Sequence, residues 1–215
     1  MTEHKKSPLT PALTLLMSVA TGLAVASNYY AQPLLETIAH AFALSVNQAG
    51  FIVTVAQVSY ACGLLFLVPL GDKFERRSMI VLMMLLAGAG MLITASTTTL
   101  SLMLLGTAMT GLFSVVAQIL VPLAASMAEP HRRGKVVGTI MSGLLLGILL
   151  ARTVAGALAS FGGWRTIYWV ASGLMFVMAA VMWRVLPRSK PHTDLNYAQL
   201  LGSIFTLFLR NPLLR

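Results

Sequence analysis

Along most of this chain the apolar residues run on without alternation, in six stretches separated by short polar breaks. The stretches cover about 12–33, 49–70, 79–97, 100–125, 136–158 and 165–186. Each approaches the roughly 20 residues that a helix needs to cross a hydrocarbon layer about 30 Å thick. The pattern predicts an all-α integral membrane domain of six transmembrane helices over residues 12–186. A short N-terminal segment, 1–11, precedes it, and a distinct tail, 187–215, follows.

The breaks alternate in character. Those after the first, third and fifth stretches carry little charge, with Glu36 alone in "LLETIAHAFALSVNQ" and none in "STTTL". The others read "DKFERR", "EPHRRGK" and "RVLPRSKPH". Of the 15 Lys and Arg, 13 fall at the N-terminus, in these three breaks or in the tail; Arg152 and Arg165 are the exceptions. The positive-inside rule places such loops in the cytoplasm, and six spans then put both termini there.

In the tail, "PRSKPHTD" is a polar linker whose prolines stop a helix. After it, Tyr197, Leu200, Leu201, Ile204, Phe205 and Phe208 recur at helical spacing opposite Asn196, Gln199, Ser203 and Thr206. That is an amphipathic helix, lying on the inner membrane surface beside Arg210 or packed on the protein.

Composition agrees with the pattern. The chain is 57% hydrophobic and only 10% charged, whereas a soluble domain is about a quarter charged. A net charge of +9 invites a nucleic-acid reading, but the cations sit in clusters between apolar runs, with no helix face or stacking aromatics to carry one. Cys62 is alone, so neither a disulfide nor a cysteine metal framework is expected. The N-terminus has the basic start of a signal peptide, yet its apolar run is long enough to span and "ASNYY" is a poor cleavage site. It is read as a retained first helix.

The stretch "PLGDKFERRS" concentrates charge of both signs between two apolar runs. Topology alone needs only Lys73, Arg76 and Arg77. Asp72 and Glu75 weaken the positive count and suggest ion pairs that lock helix ends, or a carboxylate offered to another helix N-terminus.

Here the chain resembles the major facilitator superfamily, whose loop between helices 2 and 3 has a glycine, an aspartate, a basic residue, a second glycine and paired basic residues. Asp72, Lys73, Arg76 and Arg77 match in type and spacing. Val68 stands at the first glycine, with Gly71 just before the acid, and Glu75 replaces the second. "EPHRRGKVVG", with Arg132, Arg133 and Gly134, resembles the family's loop between helices 4 and 5. "FGGWRTIYW" resembles its approach to helix 6, and "NYYAQPLL" the outer end of helix 1 in bacterial drug and sugar efflux members. The resemblance covers residues 28–186.

It implies the N-terminal six-helix half of such a transporter, built as two inverted three-helix repeats, in the bacterial inner membrane. It also implies a conformational latch at Gly71, Asp72, Lys73, Arg76 and Arg77, held against the other half. The expected partners are the lipid bilayer, a small-molecule substrate, and either a C-terminal half or a second copy; nucleic acid is not among them.

Transporters of this kind hold substrate near the bilayer midplane, so polar residues inside spans are the candidates. Asn28 and Gln32 share a face of helix 1 beside Tyr29 and Tyr30. Gln57 and Tyr60 lie on helix 2, and Thr107, Thr110, Ser114 and Gln118 form a stripe on helix 4. Each residue taken alone equally suits hydrogen bonding between helices.

Arg152 lies about 24 Å along helix 5 from its basic end. Snorkelling or pairing with Glu36 is one role for it, and contact with an anionic substrate or an outer gate is another. Beside it Thr139, Gly143, Gly147, Ala151, Ala155 and Ala159 repeat every four residues, a close-packing stripe.

No cofactor is expected. No Asp, Glu or His lies within a span, Thr107 stands where proton-driven relatives carry an arginine, and helix 5 lacks their Gly-Pro ending. Proton coupling is implied by resemblance only. Three functions stay open: half of a secondary transporter, expected to export and to be inactive alone; a half-size subunit working as a dimer; or a structural membrane protein. An enzyme is disfavoured, since no HExxH or paired-Asp motif is present.

Overall fold

A computed structural model of the chain describes residues 9–188, the side chains of Val46 and Asp72 excepted. The amphipathic segment at 197–208 and residues 1–8 lie outside the described residues.

Caps set where the helices begin. The Thr10 hydroxyl accepts from the Leu13 amide at 3.1 Å and opens α1, Pro11–Ala26, with proline at the position where a missing N–H is harmless. Ser45 and Gln48 form a reciprocal capping box at the start of α3, Val46–Phe66. Between them lie a 3-10 turn, Gln32–Leu34, and a short helix α2, Leu35–Ala41. A one-turn helix α4, Leu70–Lys73, fills the tight connection to α5, Arg76–Ser96. Then follow α6, Leu100–Phe113, α7, Val116–Met127, α8, Arg133–Gly162, and α9, Arg165–Val185. Gly163, at φ 81°, lets the chain turn sharply between α8 and α9.

Among the described residues five helical segments are long and apolar enough to cross a membrane, α6 and α7 counting as one, and α1 is a shorter sixth. No strand occurs among the described residues. Two of the six stretches depart from the expected single helix. The first stops at Ala26 instead of running to 33, because the Ser27 hydroxyl donates to the Ala24 carbonyl at 2.7 Å and Pro33 has no amide to continue the ladder. Tight turns carry the chain onward from there. The fourth breaks at Ser114 and Val115, where the Ser114 hydroxyl donates to the Gly111 carbonyl at 2.9 Å.

Span 1 (α1) packs along span 5 (α8), and span 2 (α3) along span 4 (α6 and α7). Span 3 (α5) lies against both span 6 (α9) and span 4. Exchanging spans 1–3 with 4–6 turns the 1–5 contact into the 4–2 contact and returns 3–6 to itself, which is the relation expected of two three-helix repeats. Span 3 is the buried pillar, with Met84, Ala87 and Met91 wholly enclosed. Spans 2 and 5 are the barest: Leu145, Leu149 and Leu150 on α8 and Phe51 and Val58 on α3 are exposed.

Candidate functional site at the helix breaks

The two broken spans meet at their breaks. Asn28, in the turns after α1, donates through Nδ2 to the Ser114 hydroxyl at 2.5 Å. That hydroxyl is already donating to Gly111, so it can only accept from Asn28, which fixes which end of the Asn28 amide faces it. The Asn28 carbonyl oxygen is buried and has no protein partner. One turn further, Gln118 donates through Nε2 to the Tyr60 hydroxyl at 2.9 Å, and its own carbonyl oxygen is buried without a partner. Thr21, on α1, adds a third buried oxygen in the same condition.

Spans 1, 2 and 4 are thus joined by side-chain hydrogen bonds that leave acceptors over. Buried polar atoms are normally paired, and an unpaired one costs about 1–3 kcal/mol. Such atoms mark a place for a molecule that brings donors.

The other pathway candidates separate into groups. Thr110 does not line this seam: its hydroxyl donates to the Gly106 carbonyl at 2.9 Å, and the residue packs on Gly90 of α5. Thr107 is buried. The stripe on helix 4 therefore splits, with Thr110 turned to span 3 and Ser114 and Gln118 to spans 1 and 2. Gln57 is exposed on α3, three positions from Tyr60. Tyr29 is half-buried, while Tyr30 is buried in an aromatic cluster with Tyr168, which stacks edge-on against Trp164. Arg152 is exposed and donates through Nη2 to the Gln32 side-chain oxygen at 2.7 Å; among the described residues no ion pair joins it to Glu36.

Sequence reading missed Thr21, whose only signal was a hydroxyl inside an apolar run. It also missed the pairing of Asn28 with Ser114, which needs both breaks at once.

At the basic end, Arg76 donates through Nε to the Gly71 carbonyl at 3.2 Å. Arg77 points elsewhere. Its guanidinium lies 4.3 Å from the Trp183 ring centroid, and Nη1 donates to the Leu186 carbonyl at 3.4 Å, holding the end of span 6. Glu75 accepts from the Ser78 hydroxyl. The Asp72 side chain lies outside the described residues. Arg132 and His131 flank Glu129, and Arg133 opens α8 with Gly134 behind it. Gly143 and Gly147 sit where α8 crosses α1, and Ala151 and Ala155 are buried on the same helix.

The family model of the Major Facilitator Superfamily matches residues 17–215. The chain belongs to that superfamily. It is 72% identical over 207 residues, 96% of this chain and 52% of the relative, to the uncharacterized transporter YgaY of Escherichia coli O157:H7. It is 33% identical over 172 residues, 80% of this chain and 40% of the relative, to a probable transporter of Streptomyces coelicolor, SCO4007. The crystal structure of the peptide transporter POT in complex with sulfate shares the fold, with a TM-score of 0.72 at 16% identity over 92% of this chain and 46% of that one. The chain thus spans about half the length of the relatives it matches. Composition, helices and family together make it a multi-pass integral membrane protein of a transporter superfamily.

Proposed function

We propose that this superfamily member is the N-terminal half of a secondary active transporter that exports a small amphiphilic or sugar-like molecule. The observation that carries the reading is the pair of buried, unpartnered amide oxygens of Asn28 and Gln118, whose amide nitrogens donate to Ser114 and Tyr60 at the breaks of spans 1 and 4. They suit a substrate with hydroxyl or amine donors. Export and the bacterial inner membrane rest on the resemblance of "NYYAQPLL" to efflux members, and cytoplasmic termini on the basic loops.

The bare faces of spans 2 and 5 at Phe51 and Val58 and at Leu145 and Leu149 call for a covering body. We assign it to a second six-helix unit, against which Gly71, Asp72, Lys73 and Arg76 form the latch, while Arg77 steadies that loop from span 6. Transport couples to a gradient across the membrane, with no resident cofactor. Among the described residues the network that joins spans 1, 2 and 4 has no carboxylate in it, and no enzyme is assigned.

The test is energised accumulation of a panel of amphiphilic dyes and non-metabolised sugars in everted inner-membrane vesicles carrying this half together with the second six-helix unit, since this half is expected to be inactive alone. The reading expects at least one compound to accumulate and Asn28→Ala to lower its rate about tenfold, as for loss of a hydrogen bond of about 1.4 kcal/mol. Accumulation unaffected by both Asn28→Ala and Gln118→Ala would contradict it.

A further inference from the structure

Two cavities are lined by α1 and α8, and Thr139 borders both. The first, about 390 Å³, opens at the basic end among Pro11, Glu129, Arg132 and Lys135. The N-termini of α1 and α8 both begin there, so two helix dipoles add positive potential to the side chains. Glu129 is shared between His131 and Arg132, at 3.5 and 3.6 Å. The Lys135 ammonium has no acidic partner among the described residues. The cavity therefore keeps a positive balance.

The second cavity, about 500 Å³, continues down the membrane-spanning part of the same helix pair and is walled on its far side by α9 through Val170 and Leu174. Its lining is almost wholly apolar, with Leu146, Leu150 and Val154 facing it. A basic pocket on the cytoplasmic side, set above an apolar groove between helices, has the chemistry of a phospholipid: an anionic head and a chain that must avoid water.

We propose that the groove between spans 1, 5 and 6 holds one anionic phospholipid of the leaflet at the basic end, its phosphate at Arg132 and Lys135 and an acyl chain between Leu146 and Val170. Charge selects this occupant. A zwitterionic lipid would fill the groove as well but would gain less from Lys135, which has no acidic partner among the described residues, and a free phosphate would gain nothing from the apolar wall. The site is separate from the amide seam at Asn28 and Gln118. It would fix the angle between spans 1 and 5 from outside the pathway.

The experiment uses the 215-residue protein in detergent, stripped of lipid, and counts bound lipid by native mass spectrometry. Phosphatidylglycerol and phosphatidylcholine with identical chains are the probes. The proposal expects phosphatidylglycerol to be retained about tenfold more tightly, the scale of one to two basic side chains beside an anionic surface. Arg132→Gln with Lys135→Gln erases that preference. Val170→Trp, which fills the groove from α9, weakens both lipids. Arg184→Gln, an exposed cation at the end of α9, leaves the preference intact, and far-UV circular dichroism confirms that each variant is folded.

Equal retention of the two lipids overturns the proposal, as does a preference that survives the double variant. Equal loss in Arg184→Gln points to diffuse charge and also overturns it. Displacement of phosphatidylglycerol by inorganic phosphate would make the pocket a free-anion site. A photoreactive residue at Leu146 should capture lipid; capture of the chain's own tail or of a second copy would assign the groove to those occupants instead.

Discussion

At the crossing of α1 and α8, Ser18 and Gly22 face Gly143 and Gly147, and the Ser18 hydroxyl donates to the Thr139 carbonyl at 2.8 Å. At the crossing of α3 and α6, which the repeat makes its counterpart, Gly63 faces the Leu112 carbonyl and Gly111 faces Ala56. Both bring two backbones together, as membrane helices do when small residues replace the missing hydrophobic drive. They differ in the helices that make them. Span 5 is one unbroken helix whose small residues return every four positions, so its contact is a straight seam. Span 4 breaks at Ser114, three residues after Gly111, so its close contact ends at a polar turn. The rigid crossing lies beside the apolar groove, and the broken one beside the candidate pathway. Close packing alone does not make a site; packing next to a break does.

Substitutions sharpen that contrast in descending order of effect. Gly22→Leu places a side chain where even a methyl would lie 2.7 Å from the Gly143 carbonyl oxygen. The expected cost is about 3 kcal/mol, the upper end for overpacking, read as a lowered midpoint of thermal unfolding in detergent. Gly111→Leu at the other crossing meets the Ala56 carbonyl at 2.5 Å from its first carbon and should cost a similar amount. A difference of more than about 2 kcal/mol between them would show that the two crossings are not energetic counterparts.

Ser114→Ala should cost roughly 1 kcal/mol, since interhelical hydrogen bonds in membranes average about 0.6 kcal/mol and this change removes Asn28's partner as well. Arg77→Leu removes the stacking on Trp183 and the bond to Leu186, for about 1 kcal/mol, and frees the end of span 6 to proteolysis. Arg152→Gln is the smallest. It replaces one exposed bond to Gln32, and stability should stay within about 0.5 kcal/mol of the parent.

Much of this was legible in residue order. Six apolar stretches, the alternation of charged loops and the four-residue spacing of small residues on span 5 follow from periods that physics imposes locally. The breaks in spans 1 and 4 were not legible, because serine and asparagine inside apolar runs look the same whether a helix tolerates them or yields. The outcome is decided by Asn28 meeting Ser114 from another span. Arg77 was equally opaque. Its spacing matches a loop motif, while its direction is set by Trp183, more than a hundred residues away. Thr110 misled for the converse reason: one turn from Ser114, it falls in the same stripe, yet Gly90 on span 3 draws it to the other side.

The central claim is that the seam between spans 1, 2 and 4 borders an aqueous path and that the seam between spans 3 and 6 does not. With Cys62 replaced by serine, single cysteines at Gln118 and at Ser172 can be exposed in intact membranes to a charged, water-soluble thiol reagent. Ser172 is buried and donates to the Gly88 carbonyl of span 3 at 2.9 Å. The account predicts labelling at 118 and none at 172. Labelling at 172 with protection at 118 would contradict it.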